Sequence, residues 1–222
     1  MRLRISGGCG GIRAVSGLLC VLTVVPLAVG AADVSNYLVA KERFYHQIGT
    51  EPPVPDIEEP YDFFAVVIPT GEGPLGAVTL QPPGTASLTL ELGEEDPFPM
   101  YEEDFFSQGT LDARFPNGDY VLTIETSNDG TTTVPLNLTG DAYPPAPYLQ
   151  DAEALAAVNP EEALTVTWDP LPGGDGEDFI LVSIENLCAD DVAYMSPIPG
   201  EPGWLDGSAT SAVIPAGVLA SG

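Results

Sequence analysis

Oxygen donors crowd two stretches of this chain. One is GEEDPFPMYEED, with Glu94, Glu95, Asp96, Glu102, Glu103 and Asp104; the other is DPLPGGDGED, with Asp169, Asp175, Glu177 and Asp178. Calcium takes six to eight such oxygens, so it is the one ion these loops are fit to hold. Neither stretch has the alternating ligands, central Gly and distant Glu of the twelve-residue EF-hand loop. Both are read first as solvated charge, with no cofactor expected. If calcium binds, Asp175, Glu177 and Asp178 are the ligands, at the weak affinity of extracellular sites.

A second kind of chemistry is sugar recognition, where a flat ring stacks on a pyranose face and a neighbouring carboxylate accepts its hydroxyls. Trp204 and Asp206, in the turn-rich PGEPGWLDG, are the ligand-binding candidates. Tyr101 and Phe105 flank the second acidic run of the first stretch, Glu102-Glu103-Asp104, and read as core aromatics beneath a loop.

Signatures of catalysis are missing from the sequence. It has no Gly-rich phosphate loop, no paired Cys or His at zinc spacing and no Gly-x-Ser-x-Gly elbow. Carboxylate pairs suited to acid and base roles are so numerous that they single nothing out. The one histidine, His46, follows Phe44 and Tyr45 at a strand end, far in sequence from Cys188, and reads as an ordinary edge residue. The expectation is a protein that is not an enzyme.

Charge narrows the partners. Arg2, Arg4 and Arg13 precede position 32, whereas all 33 acidic residues follow it, leaving Lys41, Arg43 and Arg114 as the only cations beyond that point. A field of that sign repels phosphate backbones and anionic lipid, so nucleic acid is excluded as a partner; an extracellular protein or a polysaccharide is the expected class.

The amino terminus has the three parts of an export signal. Arg2, Arg4 and Arg13 are followed by an apolar stretch from Val15 to Val29 and then by Gly30, Ala31 and Ala32, with cleavage expected after Ala31 or Ala32. The run is short for a membrane span, so residues 1–32 are read as a removable signal peptide, the mature chain as not inserted in a membrane, and the location as secreted, extracellular or cell surface. Removal takes Cys9 and Cys20 with it, leaving Cys188 as a lone structural thiol in a fold without disulfides.

Beyond the signal, 24 Gly and 23 Pro punctuate short apolar runs, the pattern of many short strands. NYLVAKERFYHQ reads as a first strand, EPPVPDIEEPY as a Pro-rich connection unfit for a sheet interior, and YDFFAVVIP as a buried strand. In ASLTLELGEED, Leu88, Leu90 and Leu92 alternate with Thr89 and Glu91, as on a half-buried antiparallel strand. Pro116-Asn117-Gly118 predicts a turn, Tyr120, Leu122 and Ile124 an inward face, and Asn128-Asp129-Gly130 a hairpin onto TTTVPLNL. Asn137 begins a glycosylation sequon on that strand, read as coincidence. Tyr143-Pro144-Pro145-Ala146-Pro147 has the stiffness of a linker.

After the linker, LTVTWDPLPGG (Leu164–Gly174), the apolar strand DFILVSIEN and the closing ATSAVIPAGVLASG together resemble the first part of a fibronectin type III or related immunoglobulin-like module. The resemblance implies that Trp168 packs between two sheets, and that the module stops at Gly222 short of its last strands, so that the chain is a fragment or the module is completed by other residues.

The whole reads as an all-β protein of two antiparallel β-sandwich modules after a signal peptide: residues 1–32 the signal, 35–141 a first module, 142–148 the linker and 149–222 an incomplete fibronectin III-like module. The expected role is a non-enzymatic extracellular spacer, adhesion or binding module. The alternative is an accessory carbohydrate-binding part of a secreted hydrolase.

Overall fold

Short apolar runs broken by Gly and Pro fold into strands, because β-branched and aromatic residues suit a pleated, half-buried surface. The structure is a computed structural model, and it describes residues 2–8, 11–20, 33–70, 75–93, 98–138, 143, 145–150, 152, 155, 158–176, 178–186 and 191–219. Among these residues the chain runs through β1 (Arg2–Gly8), β2 (Gly11–Cys20), β3 (Val34–Gln47), β4 (Val54–Pro55), β5 (Tyr61–Pro69), β6 (Val78–Gln81), β7 (Leu88–Leu92) and β8 (Pro99–Phe105). Helix α1 (Gln108–Arg114) is followed by β9 (Gly118–Thr126), β10 (Gly130–Leu138), β11 (Leu149–Gln150) and β12 (Leu164–Trp168). Then come β13 (Phe179–Asn186), β14 (Asp191–Met195), β15 (Leu205–Asp206) and β16 (Ser211–Ile214). The protein is all-β and mostly antiparallel.

The chain divides into two compact units. The first, here the hairpin unit, joins Cys20–Glu42 to Glu58–Ala142. Its strands lie in the order β10-β9-β6-β7-β8-β5-β3. Gly130 takes a positive φ of 71° that L side chains disfavour, closing the β9–β10 hairpin, in which Thr126 faces Gly130 and Tyr120 faces Leu136. Tyr120, Leu122 and Ile124 are all buried, so the inward face has the period-two register expected of it. Phe63 on β5 stacks on Phe115 with ring centroids 3.6 Å apart, while Tyr101 and Phe105 meet Phe115 edge-on. Tyr101 is thus half-buried and Phe105 buried, on a strand rather than under a loop. Helix α1 is short and is started by Ser107, whose side chain accepts the Thr110 N–H at 3.2 Å.

The second, the Trp168 unit, gathers Met1–Leu19, Arg43–Ile57 and Tyr143–Gly222. β12 lies between β11 and β16, with Leu149 opposite Trp168 and Leu164 opposite Ile214. β13 pairs antiparallel with β14 and β15, and parallel with β1. Trp168 is 1% exposed, at the centre of a core with Tyr45, Leu149, Val166, Val182 and Ile214, and its Nε1–H donates to the Ala209 carbonyl at 2.9 Å. Gln47, equally buried, clamps the lead-in strand: its Oε1 accepts the Leu149 N–H at 2.8 Å and its Nε2 donates to the Leu149 carbonyl at 2.9 Å. That pair of hydrogen bonds replaces a strand ladder with a side chain, so the backbone N–H and carbonyl of Leu149 stay satisfied.

The structure bears on several of these expectations. Arg43–Ile57 belongs with 143–222 rather than with the first module, because Tyr45 packs into the Trp168 core and Gln47 binds Leu149. Arg2–Gly8 and Gly11–Cys20, within the segment read as a signal peptide, are strands: β1 runs beside β13, with Arg2 opposite Leu181 and Gly7 opposite Asn186, and β2 pairs antiparallel with β1. Residues 21–32, which hold the rest of that segment, lie outside the described residues. Leu92 is 64% exposed, since the register of β7 leaves the core at its last residue. The Pro-rich connection contributes the two-residue β4, with Val54 opposite His46. Cys188 lies outside the described residues. Among the described residues no helix is long and apolar enough to cross a membrane.

Candidate functional site

The loops that carry the sequence-selected residues converge on one glycine. The Gly207 N–H donates to the carbonyls of Asp175 and Asp178, both at 2.9 Å. A Cβ at position 207 would fall 2.6 Å from the Asp178 Cβ and 2.8 Å from the Asp175 carbonyl oxygen, so only glycine permits this approach. One residue earlier, Asp206 pairs with Phe179 across β13 and β15. Trp204 and Asp206, chosen for a sugar, and Asp175 and Asp178, chosen for calcium, therefore share one loop cluster at the start of β13. Glu177, the third calcium candidate, lies outside the described residues.

Their polar atoms are engaged locally. Asp206 Oδ1 accepts from the Ser208 hydroxyl at 2.5 Å and from the Ser208 N–H at 2.9 Å, which holds its carboxyl below the usual carboxylate range. Asp178 Oδ2 accepts the Asp175 N–H at 3.1 Å. Asp206 thus closes an Asx-type turn, and Asp178 reaches back three residues to brace its own loop. Trp204 is half-buried, and its N–H donates to the Glu201 carbonyl at 3.3 Å. Among the described residues no three His, Cys, Asp or Glu side chains gather as a metal-holding group. We expect the thermal midpoint to stay the same in chelator and in millimolar calcium; a rise of several degrees in calcium would show the loops taking the ion. Elsewhere in the Trp168 unit, His46 Nδ1 sits 3.3 Å from Asp56 Oδ2.

Two further polar clusters, both in the hairpin unit, escaped sequence reasoning. On β5, Asp62 is 1% exposed and its carboxyl is pushed up to about 9. Burial is the main cause, followed by the negative charges of Glu42, Glu102 and Asp104; the Glu103 N–H, donating to Asp62 Oδ1 at 3.3 Å, opposes them. Asp62 is therefore a neutral acid at neutral pH, set on the ladder opposite Asp104. On β3, the strand beside β5, Lys41 is 2% exposed, with its Nζ 2.8 Å from Asp112 Oδ1 on α1 and 3.1 Å from Asn117 Oδ1 in the turn before β9. Charged residues amid apolar neighbours are the one signal in AKERFY and EPYDFF that points here, and Asp112 and Asn117 lie more than seventy residues from Lys41.

Comparison of this chain with protein-family models, with curated proteins and with solved structures finds no match.

Proposed function

We propose that the protein is a secreted, acidic, non-enzymatic β-sandwich protein whose two immunoglobulin-like units serve as an extracellular spacer, adhesion or binding module. The observation that carries this reading is how the polar side chains are used. Gln47 clamps a strand, Asp178 and Asp206 close turns, and Asp33 accepts the Asn128 N–H at 2.6 Å beside the β9–β10 hairpin. These four groups are spent on holding backbone, which suits a rigid scaffold presenting loops. The fibronectin III-like reading of the second unit rests on the strand sequence around Trp168 and on its buried ring. Thirty-three carboxylates against three cations beyond position 32 keep such a surface soluble and repel nucleic acid.

Export is tested by producing the full chain in a secreting host and determining the amino terminus of the recovered protein by mass spectrometry. A start at Ala32 or Asp33 supports the reading. Chain retained inside the cell with Met1 in place sinks it.

One observation favours the alternative role as a carbohydrate-binding accessory: Trp204 is half-buried, not enclosed, in the same loop cluster as Asp206. On that reading the protein is retained on an insoluble polysaccharide, and Trp204→Ala loses at least about tenfold in affinity with its circular dichroism unchanged. No retention on any polysaccharide leaves the spacer or protein-binding role.

A further inference from the structure

A buried lysine needs only a carboxylate to balance its charge. Lys41 has in addition a carboxamide within hydrogen-bond distance, 3.1 Å from its amine to Asn117 Oδ1, while Asp112 Oδ1 lies at 2.8 Å on the same nitrogen. The trio holds a nucleophile, an electrophile and a proton carrier. We propose that the side chains of Lys41 and Asn117 become joined by an amide bond in the folded chain, with Asp112 carrying the proton.

The carbon to be attacked lies one C=O bond, about 1.23 Å, beyond the oxygen that the amine already contacts. Asp112 takes a proton from the Lys41 ammonium, and the amine lone pair forms a bond to Asn117 Cγ as the carbonyl π pair moves onto Oδ1. Asp112 then passes its proton to Asn117 Nδ2. The tetrahedral centre collapses, the Cγ–Nδ2 bond breaks, and ammonia departs with that electron pair. The surplus proton on the Lys41 nitrogen leaves with the ammonia as ammonium, and Asp112 ends as the carboxylate it began. No oxidant, metal or cofactor enters the balance.

The fold supplies what this uncatalysed condensation lacks in water. Proximity is set by β3 on one side and by α1 with its following turn on the other, so three groups from distant sequence are held together before reaction. Leu111, Phe115 and Tyr120, interleaved with Asp112 and Asn117 along the chain, are each 0% exposed, so the backbone that carries the two groups is anchored in the core. Asn117 itself is exposed, which gives the ammonia a way out. Asp112 is the closer group, but condensation onto it would expel water and leave a carboxamide, a poor proton carrier, as the helper. That decides the acceptor in favour of Asn117. The reaction needs only the folded hairpin unit and is independent of what the protein binds.

The test is mass spectrometry of the full chain, purified, aged, denatured and digested. The expected result is a branched peptide linking Lys41 to Asn117, lighter by one ammonia than its two parts. Asp112→Ala should slow its formation by about 100-fold or more, Lys41→Ala and Asn117→Ala should abolish it, and Asn117→Asp should form it with loss of water instead. Two separate wild-type peptides at full mass overturn the proposal, and a Lys41–Asp112 link formed with loss of water overturns the choice of acceptor. The wild-type measurement needs no variant, so misfolding cannot hide the answer.

Discussion

Trp168→Ala is expected to lower the unfolding free energy by about 3–5 kcal/mol, the usual cost of deleting a large aromatic from a packed core. The ring is fully enclosed, and its loss opens a void among Leu149, Val166 and Ile214 that these side chains can only partly fill. It also strips the Ala209 carbonyl of its indole partner, adding the penalty of an unmet acceptor. Trp168→Phe should cost less, since it keeps a six-membered ring in the core and loses the N–H together with only part of the ring volume. Urea unfolding followed by far-ultraviolet circular dichroism measures both. An Ala variant that unfolds at the wild-type midpoint would mean that Trp168 does not hold this core together.

Asp62→Asn should stabilise the protein, increasingly so as pH rises. Asp62 binds its proton more tightly folded, up to about pH 9, than unfolded, near 3.8. Its contribution is therefore fully present below pH 3.8 and is lost as pH climbs through 9, at up to about 1.4 kcal/mol per pH unit. Over the window from roughly pH 4 to 9 the total is of order several kcal/mol, trimmed by whatever water reaches the group. Asn keeps an oxygen where Asp62 accepts the Glu103 N–H and cannot ionise next to Glu42, Glu102 and Asp104. The urea midpoint of the wild type should therefore fall from pH 5 to pH 9 more steeply than that of Asp62→Asn. Parallel curves would show that Asp62 ionises in the folded state at ordinary pH.

Strands with a clear apolar period were legible in the sequence. β5, β9 with its hairpin partner β10, and β12 each carry β-branched or aromatic residues between turn signals, and local chemistry alone marks them. β8 was hidden because PMYEEDF reads as an acidic loop; its alternation of Tyr101, Glu103 and Phe105 shows only once Phe115 stands behind it. Helix α1 has one buried apolar residue, Leu111, too little for a helical period, and only the Ser107 cap betrays it. The loop cluster was half legible. Trp204, Asp206, Asp175 and Asp178 could be picked by type, but nothing in the sequence says that Gly207 brings the two stretches together. Lys41 and Asp62 were invisible, because a charge inside an apolar run is ordinarily turned to solvent, and what buries these two comes from remote segments.

β3 runs without a break from Val34 to Gln47, yet the division between units falls inside it, after Glu42. No single cut in the gene can therefore hand each unit its own residues. A fragment begun after the Pro-rich linker would carry Trp168 without Tyr45 or the Gln47 clamp, and should be recovered as an aggregating, protease-sensitive product. Proteins of this kind are usually pictured as beads that recombination can shuffle one at a time. Here the string passes through the beads, and the pair can be inherited, transplanted or duplicated only whole.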